Sequence, residues 1–476
     1  MSIDWNTVKA TIEEEWDTTI IPALSSYIAV PNQSPSFDPE WATNGLMENA
    51  FAILINWVKA QNLHGLTLDY IQEKGRTPFL LVEVLGTAPM ACSVLMYGHM
   101  DKQPPLRPWG EGLDPTRPVV RDGKLYGRGA SDDGYALFSS ICSIASLQRH
   151  GIPHGRLLIA IESGEESGSP DLDYFMERFC EKIGIVDLVI CLDSGCMNYE
   201  QVWLTTSLRG VADGVLRVRT LSESMHSGVA GGVVPDSFRI LRELLDRLED
   251  SKTGRVRLPE AHADIPEASI KAAEAMNAVG FKEQFSTLPG VSLAAVDNQT
   301  LALRNFWEPS LTVVGANLPD PLVAGNVIRA ETAVKLSIRT PPNVDSKRVL
   351  EAMGLVLEDD PPSNARVQFE KESGDNGSCM PELKPWLHNA LEEASLLAFG
   401  KTYACQGMGG AIPFVGKLIE TYKTAQVIVT GVLGPQSNAH GPNEFLHIPY
   451  VKGLTFVIAR VISDHFHNTP RQSTAS

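Results

Sequence analysis

The sequence predicts an α/β protein: a main domain with a mostly parallel sheet flanked by helices, interrupted by an inserted α+β domain. Three observations lead there. Between about residues 50 and 207, short apolar runs alternate with helical patterns, as parallel strands joined by crossover helices require. Around residue 210 the character changes to alternating strands and a strongly amphipathic helix. From about residue 380 helix and strand patterns resume and complete the first domain's sheet. The boundaries drawn on this basis are 1–209, 210–378 and 379–476.

The strand candidates of the first part are "PFLLVEV" (78–84), "CSVLMY" (92–97), "RLLIAIES" (156–163) and "DLVICLDSG" (187–195). Ser131 to Gly151 reads as a helix, with Leu137, Ile141, Ile144 and Gln148 along one face, Asp132 and Asp133 in its first turn and a glycine to stop it. In the middle part, "GVLRVRT" starts an alternating strand and "PDSFRILRELLDRLED" (235–250) is a helix with Phe238, Leu241, Leu245 and Leu248 on one side. In "AVKLSIRT" (333–340), Val334, Leu336 and Ile338 share one face and Lys335, Ser337 and Arg339 the other. "AQVIVTGVLG" (425–434) and a helix from Pro449 to Phe466 form the last part, and the tail "NTPRQSTAS" reads as disordered.

Composition narrows the functional classes. The 476 residues are 43% hydrophobic and 20% charged, ordinary for a globular protein, with a formal charge of −17. That charge argues against nucleic-acid or anionic-membrane partners, both of which call for basic patches. The opening "MSIDWNTVKATIEEEW" lacks the basic start and apolar core of a secretory signal, and no run of 18 apolar residues occurs, so a cytoplasmic protein is expected. The seven cysteines are scattered, without C-x-x-C pairs, and read as reduced thiols.

The chemistry concentrates where strands end, the usual place for a site in an open α/β sheet. "VLMYGHMDKQP" puts His99 and Asp101 just past a buried run. "GRGASDDG" presents Asp132 at a helix start, "IESGEESGS" presents Glu165 and Glu166, "CLDSG" presents Asp193, and "SNAHGPNE" supplies His440. Singly, each has a bland explanation: a satisfied loop histidine, a helix N-cap, a solvated acidic pair, a turn cap. Five such coincidences at strand ends are a far worse bet than one site. Two histidines and three carboxylates suit a pair of divalent ions, zinc first, with manganese or cobalt also compatible, rather than an all-oxygen calcium site. Ions held about 3.5–4 Å apart need a bridging ligand, a role assigned to Asp132. Glu165 and Glu166 would divide the labour, one on a metal and one free to move a proton. Asp101 is placed to accept from the other ring nitrogen of His99.

At these residues the chain resembles a known family. "YGHMDKQP", "GRGASDDG", "SGEESGS", "MHSGVAGG" and "NAHGPNE" are similar to the signature blocks of the carnosinase and cytosolic nonspecific dipeptidase family of dinuclear zinc metallopeptidases. Wider relatives of that family include aminoacylases, carboxypeptidase G and succinyl-diaminopimelate desuccinylase. The resemblance spans nearly the whole chain in the right order. It implies a zinc-peptidase-like catalytic domain with an inserted lid used for homodimerisation. His99 and Asp193 would hold one metal, Glu166 and His440 the other, with Asp132 bridging and Glu165 as general base. It also implies a cis peptide after Asp132. His226 of "SMHSGVAGG" would reach the partner subunit's active site and stabilise the oxyanion, so the candidate catalytic residues are Glu165, Asp101 and His226. Arg339 would bind the free carboxylate of the substrate, and the glycine loop "GMGGAIPF", through Gly409, Gly410 and Ala411, would contact the same end. One departure stands out: where the family carries a further histidine-containing stretch, this chain reads "KESGDNGSCMPELKPW".

The implied function is hydrolysis of the amide bond in dipeptides or small peptides with a free C-terminal carboxylate. Glu165 would take the proton of a metal-activated water and pass it to the leaving amine. An N-acyl-amino-acid amidohydrolase is the nearest alternative. A non-catalytic metal-dependent assembly protein is disfavoured, because the base and all five ligands are present.

Overall fold

The computed structural model describes residues 3–470 apart from 91, 286 and 411. The chain forms two compact units: residues 1–205, 380–406 and 417–476, and residues 206–379 with 407–416.

The first unit is organised by a six-stranded sheet. Its order is Leu66–Ile71, Phe79–Val84, Leu157–Glu162, Ser93–His99, Val186–Cys191 and Gln426–Val429. The last four strands run parallel, whereas the first two pair antiparallel, so the sheet is mostly, not wholly, parallel. Strands Ser93–His99 and Leu157–Glu162 are buried at every position, which is why they read as unbroken apolar runs rather than alternating ones. Ser93–His99 lies between strands that follow it on either side, and the crevice at its carboxyl end is where such a topology places a site.

The helix predicted from Ser131 starts at Tyr135 instead, with Gly134 at its N-cap. Asp132 and Asp133 precede it in a turn, and the peptide between them is cis. The helix Tyr135–Arg149 is buried on all sides from Tyr135 to Leu147, rather than along the one predicted face. Ser139, Ser140 and Ser143 tolerate this because their hydroxyls bond backbone carbonyls or Thr455 of the helix Ile448–Asn468. Gly98 lets the helix start come close: a Cβ there would lie 2.5 Å from the Ala136 Cβ and 2.6 Å from Asp133 Oδ2. The tail expected to be disordered is ordered in its first residues, since helix continues to Asn468 and the Thr469 hydroxyl bonds Asp187; residues 471–476 lie outside the described residues.

The second unit carries a four-stranded antiparallel sheet, ordered Ser310–Asn317, Glu331–Thr340, Gly210–Arg219 and Arg366–Asp375. Val334, Leu336 and Ile338 face its core, as their alternation requires, beside Ala212, Leu216 and Val218. The helices Ser237–Leu248 and Ser346–Glu358 supply most of the rest of that core, with Val256, Leu258, Ala261, Val344 and Phe369 completing it. The first of them turns a different stripe inward from the one predicted: Ile240, Leu241, Leu244 and Leu248 are buried, while Phe238 is 41% exposed.

This burial pattern makes a stability prediction. Leu244→Ala should cost about 2–5 kcal/mol through lost contacts and a residual cavity, whereas Phe238→Ala should stay within about 0.5 kcal/mol. Denaturant unfolding of the two variants measures both, and the reverse order would restore the predicted stripe.

Candidate metal centre

All seven candidates of the first unit converge at the carboxyl ends of its parallel strands. His99 is the last residue of Ser93–His99. Glu165 and Glu166 open a 3-10 turn three residues past Leu157–Glu162, and Asp193 follows Val186–Cys191 by two. Asp132 comes from the turn before the buried helix, and His440 from the loop after Gln426–Val429, where its φ is +64°.

The two oxygens of Asp132 face different partners. Oδ1 lies 3.2 Å from His99 Nε2, which is itself 3.9 Å from Asp193 Oδ1. Oδ2 lies 3.0 Å from His440 Nε2, which is 3.3 Å from Glu166 Oε2. Donor atoms of His99, Asp132 and Glu166 gather within 4.8 Å of one another, and so do those of His99, Glu165 and Asp193. His99 is fixed from behind: Nδ1 is 3.2 Å from the Asp101 main-chain oxygen and 3.5 Å from its Oδ1. The Asp101 carboxylate also accepts from the backbone amides of Glu165, at 3.2 Å, and Glu166, at 3.0 Å.

The electrostatics show a site short of positive charge. Burial, reinforced by Asp132, pushes Glu166 up to about 8; burial and the Asp193 charge push Glu165 well above the ordinary carboxyl range. Burial also raises Asp193 to about 6. Asp132 is the exception: burial would raise it, but hydrogen bonds from His440 and His99 hold it well below the usual value. The same bond, with Asp132's charge, lifts His440 to about 9 against the effect of its burial. Divalent ions would displace the proton that Glu166 otherwise keeps near neutrality. Glu166 Oε1 is buried with no hydrogen-bond partner, a loss of about 1–3 kcal/mol that a cation would remove. The mixed nitrogen and oxygen donor set fits zinc-like ions.

The remaining candidates lie in the second unit, or outside what is described. His226 ends the short strand Met225–His226, is exposed, and accepts from the Gly228 amide through Nδ1 at 3.1 Å. A neutral ring so bonded carries its proton on Nε2, leaving that nitrogen as a donor. Arg339 is half-buried in Glu331–Thr340, opposite Ser310 and Val211. The Gly409 carbonyl accepts from Arg209 Nε at 3.0 Å, and Gly410 borders open space. Ala411 lies outside the described residues.

Several residues of the two sites escaped the sequence reading. Arg209 is buried, donates to the Glu308 carbonyl and the Ser310 hydroxyl, and among the described residues forms no ion pair. Burial and the nearby Arg339 charge lower it to about 10. Gln103 donates to Glu166 Oε2 at 2.5 Å, and Asp133 Oδ2 accepts from the His99 amide at 3.2 Å. Arg128 and Glu444 stand within the quoted "GRGASDDG" and "NAHGPNE" blocks, yet only their pairing in space shows their importance.

Comparison with known proteins finds a family and relatives similar to this chain. The model of peptidase family M20/M25/M40 matches residues 95–464. A cysteinylglycine-S-conjugate dipeptidase from Corynebacterium striatum is 26% identical, covering 82% of this chain and 84% of its own. Human β-Ala-His dipeptidase is also 26% identical, over 80% and 76% of the two chains. The solved structure of the dipeptidase Dug1p from Saccharomyces cerevisiae superposes with a TM-score of 0.81 at 22% identity, covering 98% of this chain and all of that one, and so shares the fold.

The raised groups set a pH dependence for the metal-free protein. Glu166, ordinarily near 4.5, keeps its proton in the folded state up to about 8, so between those values the native state binds more protons than the unfolded chain. His440, raised from 6.5 to about 9, acts with the same sign. Stability of the metal-free protein should therefore fall as pH rises from about 5 to about 8, and added zinc should flatten the slope. Denaturation series with and without metal check this, and stability that climbs with pH in the metal-free protein would contradict it.

Proposed function

The chain belongs to peptidase family M20/M25/M40, and we propose that this hydrolase is a dinuclear metal-dependent dipeptidase acting on small peptides with a free C-terminal carboxylate. The observation that carries the reading is the division of Asp132: one oxygen toward His99 and Asp193, the other toward His440 and Glu166. A carboxylate so placed is suited to bridge two ions, with one pair of residues completing each. When bound, the ions would polarise the scissile carbonyl and make a water acidic enough to attack near neutrality.

The chain's own groups supply the rest. Glu165, near the His99 and Asp193 donors but not needed for either pair, accepts the proton of the attacking water and returns it to the leaving amine. Its buried, carboxylate-crowded setting keeps its proton affinity high enough to shuttle. Asp101 positions both ends of this machinery, through the His99 ring and through the amides of the two glutamates. His226, with a proton on Nε2, suits stabilisation of the tetrahedral oxyanion in the active site of a partner subunit. Arg339 and the Gly409–Gly410 turn are assigned to the substrate's carboxylate. Support comes from the second guanidinium beside Arg339, that of Arg209, which together make a place for an anion.

Dipeptides are preferred over N-acyl amino acids as substrates because the relatives described above are dipeptidases by name. A homodimer through the second unit is supported by the exposed edge strand Ser310–Asn317, where Val313 and Val314 face solvent, and by exposed Val229 and Val233. Seven free cysteines suit a reducing compartment such as the cytoplasm. Among the described residues no helix is long and apolar enough to cross a membrane.

Hydrolysis of a dipeptide panel against N-acetyl amino acids, with zinc, manganese and cobalt, tests the proposal directly. Preference for the acetylated substrates would replace it with the amidohydrolase. Glu165→Gln should lower kcat by about 10²–10⁴-fold while two ions stay bound, whereas Glu166→Gln should lose metal and recover partly in excess. Metal counting with kinetics separates the two, and an active Glu165→Gln enzyme would remove the base. Arg339→Ala should lose about 1.5–3 kcal/mol of transition-state binding for free carboxylates and little for amidated peptides; equal losses on both would take Arg339 out of the site.

A further inference from the structure

We propose that the buried Arg128–Glu444 ion pair is a positioning device for the metal centre, setting Asp132 and His440 together and so controlling how tightly the ions they share are held. The inference rests on the dinuclear reading above but concerns residues outside the ligand set.

Glu444 is wholly buried, and both of its oxygens are spoken for. Oε1 accepts from the Ser131 amide at 3.0 Å, the Ser131 hydroxyl at 3.1 Å and the Asp132 amide at 3.2 Å. Oε2 accepts from the Gly129 amide at 3.0 Å and from Arg128 Nη1 at 2.7 Å. One carboxylate therefore gathers the amides of the turn that ends in Asp132. The turn is also closed from below: Gly129 has φ +81°, and a Cβ there would lie 2.6 Å from the Lys102 Cε. The Lys102 ammonium is in turn held by the Tyr27 and Val30 carbonyls, at 2.8 and 2.7 Å.

Arg128 extends the clamp to the other ligand loop. Nη2 donates to the Gly441 carbonyl at 2.7 Å, immediately after His440, and Nε donates to the Pro104 carbonyl at 3.2 Å, just beyond His99 and Asp101. His440 sits at φ +64°, a conformation that a non-glycine residue keeps only when its surroundings impose it. The guanidinium and Glu444, four residues on, are such surroundings. The pair thus ties together three segments that carry metal-site residues, two of them more than 300 positions apart in the chain.

Stability alone is a poor reason for this arrangement. Taking two charges out of water costs several kcal/mol for each, and apolar replacements of buried pairs are often neutral or stabilising. What an ion pair with both carboxylate oxygens and all three guanidinium nitrogens engaged adds is direction. Ligands gain from it, because metal affinity depends on donor atoms being held at the right place before the ion arrives. A merely structural pair and a positioning pair differ in one readout. Breaking the former lowers melting temperature and leaves the metal affinity of the folded protein alone; breaking the latter weakens metal binding in a protein that is still folded.

The test is titration of the metal-free full-length protein with zinc in competition with a chromophoric chelator, alongside circular dichroism to establish folding. Wild type should take up two ions per chain. Glu444→Gln, which keeps the shape and removes the charge, should bind at least one of them tenfold or more weakly. A wild-type protein that takes up fewer than two ions would overturn the dinuclear reading and this inference with it. Two ions in wild type and unchanged affinity in folded Glu444→Gln would overturn the positioning role alone. Should Glu444→Gln not fold, Arg128→Lys decides: it keeps the charge and loses the fork that reaches Gly441, so a tenfold weakening upholds the clamp and wild-type affinity rejects it.

Discussion

The arrangement of the first unit depends on one crowded spot, the place where acidic side chains from four segments meet two imidazoles at the ends of parallel strands. Asp132 stands at its middle, with an oxygen toward each histidine. Its position requires a turn that brings it over the end of Ser93–His99. The turn in turn requires Gly98 beneath Asp133, and Glu444 behind the backbone. Burial, reinforced by the repulsion of neighbouring carboxylates, raises the proton affinity of Glu166 and Asp193 above their ordinary range. A fold that keeps such a cluster buried is organised around cations.

The sheet explains why these residues can be so far apart in sequence and yet meet. Each parallel strand delivers its carboxyl end to the same edge, and each connection then returns to the opposite edge before the next strand starts. His99, Glu165 and Asp193 are consequences of three successive strands ending at one level. The Gln426–Val429 strand, reached after the whole second unit, ends at that level too, and the loop after it brings His440. Insertion of the second unit between two strands of one sheet costs the site nothing, because strand pairing rather than chain continuity sets where His440 arrives.

Much of this is legible in the sequence, and what is not has physical causes. The buried strands were readable because burial on both faces removes polar residues from the run. His99, Asp101, Glu165, Glu166 and Asp193 were readable because each is a chemically unusual residue at or just past such a run, whereas Asp132 showed itself at a helix start and His440 in a Gly/Pro loop. The helix Ser237–Leu248 misled because "FRILRELLDRL" offers two overlapping apolar stripes that share Leu241 and Leu248; the strands beneath it decide that Leu244 rather than Leu245 points fully inward. Ser140 and Ser143 of Tyr135–Arg149 helped hide a helix buried all round, since a hydroxyl that bonds its own helix behaves as a small core residue. Arg128 with Glu444, and Arg209 with the Gly409 carbonyl, were invisible for another reason. A charge looks solvated in sequence unless its partner, hundreds of residues away, is already placed.

The spacing of His99 and Asp101 has a specific physical meaning. Residues i and i+2 of an extended chain point to the same side, so an imidazole at a strand's end and a carboxylate two positions later are delivered to one pocket. There Asp101 spends its two oxygens on the adjacent amides of Glu165 and Glu166 while Oδ1 and its own carbonyl oxygen stay near His99 Nδ1. In the 3-10 turn those amides begin, successive side chains diverge by about 120°, which lets neighbouring glutamates face different partners. Glu166 goes to His440, and Glu165 goes toward His99 and Asp193. One carboxylate at the start of the turn thus fixes the tilt of a histidine and the divergence of two glutamates, and any shift of Asp101 would move all three together.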